Sequence, residues 1–360
     1  MENEPTTPSG MLDLDSLASE TLTGVGKMGY KVFVTRMLPE PAIEKLRSAP
    51  EVSEVRIYPH DRAIEREELL EGVRWCDALI CLLTDTIDSE VMDSNPNLKV
   101  IANYAVGFNN IDVVEATKRK IPVTNTPGVL TETTADLAWA LMMAVARRLN
   151  EAERFLRSGK WNGWGPMQFL GADVWGKVLG IVGFGRIGKA VARRAWGFDM
   201  RVIYYDMVRA DEEIERALRA TYVPFDELLK EADFVTIHVP LITHGPNKTY
   251  HMFSDREFDL MKRTAFLINT SRGPVVDEKA LVRALKEKKI AGAGLDVYEN
   301  EPMVEPELLE MENVVLLPHI GSASTETRTK MALMAVENVL AVLRGERPPN
   351  IVNPEIYEET

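Results

Sequence analysis

Three short stretches late in the chain carry side chains suited to carboxylate recognition and proton transfer. Asn269-Thr-Ser-Arg-Gly273 presents Arg272 after an apolar run. Leu295-Asp-Val-Tyr-Glu-Asn-Glu301-Pro302 presents Asp296 and Glu301, and Leu317-Pro-His-Ile-Gly-Ser322 presents His319. A guanidinium grips a carboxylate through two parallel N–H bonds and polarises a neighbouring carbonyl. An imidazole needs an acid partner to stabilise its protonated form if it is to donate a proton near neutral pH. Glu301 is the candidate partner of His319. Taken singly, each residue has a plain structural reading: a surface arginine, or a strand-end histidine satisfied by its neighbours. Three apolar strands that each end in one such side chain are harder to dismiss, because open α/β sheets bind ligands at that edge.

A fourth stretch says what lies beside them. Gly183-Phe184-Gly185-Arg186-Ile187-Gly188 is a G-x-G-x-x-G that directly follows an apolar strand and opens a helix. The string alone is weak evidence, and its context makes it a dinucleotide fingerprint. Gly183 permits the tight turn, Gly185 lets a pyrophosphate approach the backbone, and Gly188 lets helix and strand pack closely. The helix N-terminus offers unpaired N–H groups to the phosphates, and Arg186 adds a charge. Asp206 ends the next strand, eighteen residues past Gly188, where an acid accepts hydrogen bonds from a ribose 2′-OH and repels a 2′-phosphate. NAD(H) is therefore expected over NADP(H), with Arg209 as the residue able to soften that preference.

These residues need a scaffold of alternating strands and helices. Strands are expected at Lys31–Arg36, Val52–Tyr58, Ala78–Leu83 and Val100–Ala105, with a helix at Pro39–Arg47. A second series begins at Val178–Gly183 and continues at Arg201–Asp206, Asp233–Val239, Ala265–Thr270, Ala293–Val297 and Val314–Leu317. Strands alternating with helices imply parallel sheets. Between the series, one long helix is expected from Thr131 to about Ser158, with Thr131 and Thr134 as capping hydroxyls and Gly159 as its stop. Lys160–Gly176 has no period and reads as an irregular excursion. Thr325–Arg344 reads as a core-facing helix.

Composition narrows the function classes. The chain has 360 residues and a formal net charge of −13, which disfavours general nucleic-acid binding. Cys76 and Cys81 match neither a zinc pattern nor a disulfide framework and read as small core residues; no metal is expected. The strongest apolar run, near Leu137–Ala146, is too short to span a bilayer, and no signal peptide is visible. A cytoplasmic setting without membrane partners fits this. Residues 1–28 read as a flexible acidic extension, with a short helix over Leu12–Leu17 as one option.

The glycine loop, Asn269–Gly273, Glu301-Pro302 and Pro318–Ser322 together resemble the D-isomer-specific 2-hydroxyacid dehydrogenase family over about Lys31 to Asn353. Glu301 and His319 follow Arg272 by 29 and 47 residues, as in that family. The chain is most similar to its glyoxylate/hydroxypyruvate reductases. The resemblance implies two Rossmann/flavodoxin-like doubly wound parallel-sheet domains. The NAD-binding domain, 128–321, would be inserted into a substrate domain formed by 29–127 and 322–360. It implies reduction of a small 2-oxo acid to the D-2-hydroxy acid, with His319 as general acid/base, Glu301 tuning it and Arg272 binding substrate. Leu83, Val106 and Gly107 would contact the substrate. Thr134, His238, Val239, Thr270, Asp296 and Gly321 would line the cofactor, Asp296 meeting the nicotinamide carboxamide. In these reductases a tryptophan of the irregular segment reaches the partner subunit's active site, which would make Trp164 a substrate contact; its plain reading is a dimer-interface aromatic, and either reading implies a homodimer. D-3-phosphoglycerate dehydrogenase is the nearest enzymatic alternative, and a dinucleotide-sensing corepressor is the alternative of another class.

Overall fold

The computed structural model describes residues 29–358. The acidic extension expected at 1–28 lies outside the described residues. The first strands run Tyr30–Val34 (β1), Val52–Ile57 (β2), Ala78–Cys81 (β3), Val100–Asn103 (β4) and Val123–Thr124 (β5). All pair parallel in the order β2-β1-β3-β4-β5. β3 and β4 are buried on both faces, whereas β2, at the sheet edge, alternates in burial.

The second sheet contains Val178–Val182 (β6), Arg201–Tyr205 (β7), Ala220–Tyr222 (β8), Phe234–Ile237 (β9), Phe266–Asn269 (β10), Gly292–Leu295 (β11) and Val314–Leu316 (β12). Its order is β12-β11-β10-β9-β6-β7-β8, again all parallel. The order reverses at β6 and β9, so the crevice beyond their carboxyl ends is the switch point at which such sheets take ligands. The strands stop one or two residues before the sequence reading suggests. Leu83, Ala105, Asp206, Val239, Thr270 and Val297 thereby fall in the loops at the carboxyl edges.

Two helices tie the sheets together. Thr131–Ala146 leaves the first sheet and packs on the second through Leu141, Met142 and Val145. Thr325–Leu343 returns, burying Met331, Val336, Val339 and Leu340 against β1, β3 and β4. The single long helix expected over 131–158 is two helices, because Arg148 adopts φ 53° and starts a new one at Leu149–Arg157. A left-handed residue cannot continue a right-handed helix. Neither Thr131 nor Thr134 caps the first helix: its N-cap is Leu130 without a side-chain bond. Thr134 Oγ1 instead donates to the Gly321 carbonyl at 3.2 Å. Both cysteines are free and buried. No helix among the described residues is long and apolar enough to cross a membrane.

Candidate active site

The turn after β10 is built by Asn269. Its Oδ1 accepts the Ser271 N–H (3.0 Å) and hydroxyl (2.9 Å), and its Nδ2 donates to the Arg272 carbonyl (3.0 Å). This side-chain turn swings Arg272 into the crevice. A Cβ at Gly107 would overlap the Arg272 guanidinium, so the loop after β4 approaches it at glycine distance. Burial makes the guanidinium easier to deprotonate and the charge of Glu301 opposes this. An arginine stays charged regardless.

Glu301 Oε1 accepts the Tyr298 N–H at 3.0 Å, and Oε2 meets His319 Nδ1 at 2.8 Å. Burial pushes the Glu301 carboxyl up, but the bond and charge of His319, the Tyr298 N–H and Arg272 outweigh it and hold it below its usual range. The Tyr298 hydroxyl donates to the Leu317 carbonyl at 2.8 Å, fastening the Glu301 loop to the strand end that precedes His319. His319 has φ 55°. Such a left-handed residue stores strain of order 1–3 kcal/mol and persists where its surroundings fix it. Here Asp296 Oδ1 accepts the Ile320 N–H at 2.7 Å.

Arg272, His319 and Asp296 line one cavity of about 250 Å³ with Leu83, Val106, Gly107, Thr134, His238, Val239, Thr270 and Gly321. Four residues lining it carry a buried polar atom without a hydrogen-bond partner: His238 Nδ1, Thr270 Oγ1, Asp296 Oδ2 and Arg328 Nε. Orphaned atoms gathered in one cavity fit a polar ligand group that pairs them. Burial raises Asp296 to about 6, against the Ile320 N–H and the charge of His319. Burial also pushes His238 down to about 3 and so keeps it neutral; its Nε2 lies 2.8 Å from Thr236 Oγ1. A second cavity of about 220 Å³ continues past Gly183, Gly185, Asp206, His238 and Val239. Gly183 has φ 94°, nothing stands within 4 Å of a Cβ built on Gly185, and a Cβ on Gly188 would strike the Gly183 carbonyl. Asp206 Oδ2 accepts the Phe184 N–H at 2.6 Å, leaving Oδ1 only a 3.4 Å contact with the Val208 N–H. These features fit a dinucleotide whose pyrophosphate crosses the glycine loop and whose adenosine ribose meets Asp206.

The sequence pattern of the D-isomer specific 2-hydroxyacid dehydrogenase, NAD binding domain, matches residues 139–321. A glyoxylate reductase of Korarchaeum cryptofilum is 56% identical over 92% of this chain and 98% of its own. The chain belongs to the D-isomer-specific 2-hydroxyacid dehydrogenase family. Solved structures of such length agree. A Thermus thermophilus protein superposes with TM-score 0.83 at 46% identity, covering 89% of this chain and 99% of its own. An NADPH-dependent glyoxylate/hydroxypyruvate reductase of Sinorhizobium meliloti, in complex with NADP and malonate, does so with TM-score 0.79 at 33% identity, covering 92% and 98%.

Most of the dehydrogenase's candidate residues meet around these two cavities. Glu301 stands behind His319. Phe184 lies buried against Tyr204, with ring centroids 3.9 Å apart, and offers its N–H to Asp206. Gly188 serves packing. Arg186 is exposed and lines neither cavity. Trp164, 84% exposed, does not line the cavity of its own subunit. Arg209, able on sequence to soften the cofactor preference, is held by Glu215 through bonds of 2.9 and 2.8 Å. The sequence reading missed Asn103 and Asn110. Asn103 Nδ2 donates to the Gly107 carbonyl (2.8 Å) and to Asn110 Oδ1 (3.2 Å). Asn110 Nδ2 donates to the carbonyls of Leu82 (3.0 Å) and Asp85 (3.1 Å). Together they lock the two loops that carry Leu83 and Val106-Gly107. The only legible signal was a pair of polar residues flanking a glycine loop.

Proposed function

We propose that this chain reduces small 2-oxo acids, glyoxylate and hydroxypyruvate, to D-2-hydroxy acids, with NADH preferred over NADPH. The observation that carries this reading is the convergence of Arg272 and His319, with Glu301 2.8 Å behind the imidazole, on the cavity of the four orphaned polar atoms. Relatives named glyoxylate reductase support the substrate class.

Arg272 holds the substrate carboxylate and polarises the carbonyl, with the Val106 and Gly107 N–H groups on the same carboxylate and Leu83 packing beside it. Bound NADH supplies the hydride that reduces C2. His319 delivers the proton to the carbonyl oxygen as that bond forms, and accepts it back in the oxidative direction. Glu301 fixes the imidazole through Nδ1, so Nε2 is left for the substrate. Asp296 Oδ2, Thr270, His238, Thr134, Val239 and Gly321 receive the nicotinamide end; the Gly183–Gly188 loop and Asp206 receive the rest. In this reading 29–127 with 322–360 is the substrate domain and 128–321 the cofactor domain. The enzyme is a cytoplasmic homodimer, and Trp164 enters the partner subunit's cavity. The exposed Trp161, Trp164, Met167 and Leu170 on one irregular segment support that pairing.

The test is NADH oxidation in the presence of glyoxylate, hydroxypyruvate, pyruvate and 3-phosphohydroxypyruvate, repeated with NADPH. Turnover of the first two with NADH is expected. Failure on every oxo acid would sink the enzyme, and preference for the phosphorylated acid would replace the substrate.

A further inference from the structure

Glu278 opens the helix Glu278–Lys286, six residues past Arg272, and is buried. Its carboxyl takes no arginine or lysine among the described residues; both oxygens go to one loop. Oε1 accepts the Glu299 N–H at 2.5 Å and Oε2 the Glu305 N–H at 3.4 Å. The segment between those two N–H groups carries Glu301. Glu299 reciprocates: its Oε2 accepts the Glu278 N–H at 3.2 Å, and its Oε1 meets His251 Nε2 at 2.5 Å. The His251 N–H donates to the Pro274 carbonyl at 2.8 Å. Asp277 stands 3.9 Å from His251 Nδ1 and caps the helix by accepting the Ala280 N–H at 3.0 Å. A Cβ on Gly273 would overlap the Tyr298 carbonyl, so the Arg272 and Glu301 loops touch backbone to backbone. Burial raises the Glu278 carboxyl; the two N–H bonds oppose this, and the charges of Glu299 and Glu305 add to it. A carboxyl buried among acids is a costly way to close a loop, and proteins keep such local costs at functional sites.

We propose that Glu278, assisted by His251, is a positioning residue for the proton transfer: by gripping both ends of the 299–305 segment it keeps Glu301 at Nδ1 of His319. This rests on the function proposed above. Neither Glu278 nor His251 lines the cavity of Arg272 and His319, so neither touches substrate. Arg272 does not share the dependence, because Asn269 builds its turn from within. A displacement of about 1 Å in a catalytic geometry costs on the order of 10²-fold in rate. Loosening the segment therefore slows proton delivery and leaves carboxylate binding in place.

The experiment measures kcat, KM for glyoxylate, Tm and the pH profile of kcat/KM in the wild type, E278A, E278Q and H251F, each with and without E301A. E278A should lower kcat by about 10- to 100-fold and leave KM within about threefold. The pH at which reduction slows should move to lower values, because a displaced Glu301 no longer favours the imidazolium. E278Q keeps one acceptor oxygen and should lose less. H251F keeps the stack on Tyr250 but drops the bond to Glu299, and should show a smaller loss of the same kind. In the E301A background E278A should change kcat by no more than about twofold, since residues acting through one another are not additive. If E278A does not fold, E278Q and H251F carry the same comparison. An unmoved kcat and pH profile in the folded variants would overturn the assignment. So would an equal loss with and without E301A, or a fall in Tm alone; either would make the clasp a support of the fold only. A wild type inactive on every oxo acid would instead remove the proposed function, and this inference with it.

Discussion

At the scale of single residues, the chemistry depends on pairs. His319→Ala should lower kcat by about 10²–10⁴-fold, the span of a lost general acid; a steady-state assay returning near-normal kcat would take His319 out of that role. Glu301→Gln keeps a hydrogen-bonding partner at Nδ1 but removes the charge that favours an imidazolium. The pH at which reduction slows should therefore move to lower values, read from the kcat/KM profile; an unmoved profile would leave Glu301 with orientation alone. Asp206→Ala should weaken NADH binding, because the ribose loses its acceptor, with a smaller change for NADPH. Equal titration curves for variant and wild type would contradict this. These residues were legible because their types and spacings are dictated by chemistry. Asn110 was not legible, because its partners, the carbonyls of Leu82 and Asp85, meet it only in the folded chain.

Secondary-structure elements supply the geometry. Every candidate catalytic side chain stands three to six residues past a strand end, where a rigid sheet and a short loop meet. The strands themselves were readable as apolar runs, and so was the helix Thr325–Leu343. Reading failed where an element is short or its end is set by one dihedral. β5 has two residues and β8 three, too few for a period to show. The break after Ala146 turns on Arg148, a residue type with no special liking for φ 53°. The loops between elements carry a prediction of their own. Asn110→Leu cuts the bonds to Leu82 and Asp85 that lock the substrate loops together. KM for glyoxylate should rise roughly tenfold, as for loss of one or two buried hydrogen bonds, while NADH affinity stays put. Parallel losses of both would mean general unfolding, not loop placement.

For the molecule as a whole, acid is the revealing variable. His238 is pushed down to about 3 when folded, so between its ordinary value, ~6.5, and that point the unfolded chain binds the extra proton. Stability must fall as pH drops through that window, by up to ~1.4 kcal/mol per unit from this one group. Asp296 works oppositely: raised to about 6, it takes its proton in the folded state first, so acidification from about 6 toward ~4 stabilises through it. Glu215, held at about 2 by Arg209 and Tyr204, adds to the acid loss at lower pH. His238→Gln should accordingly show a shallower decline of Tm from pH 6.5 to 4 than the wild type, as scanning calorimetry would record. Identical slopes would mean the imidazole is not buried neutral. The two series of strands alternating with helices were readable in the sequence and the resemblance implied the two sheets, whereas this titration depends on surroundings that only the folded chain gives His238.

The knot of Arg209, Glu215 and Tyr204 beside the adenosine cavity also bears on how cofactor choice can change. Glu215 takes Arg209 in two bonds and receives the Tyr204 hydroxyl at 2.6 Å. A 2′-phosphate that turned to Arg209, three residues past Asp206, would have to compete with that carboxylate for it. Selectivity at this end is thus epistatic: neutralising Asp206 lifts a repulsion without freeing an attractor, and removing Glu215 frees the attractor while the repulsion stands. The route from one dinucleotide to the other runs through two substitutions whose separate effects are small, and whose sum falls short of their joint effect.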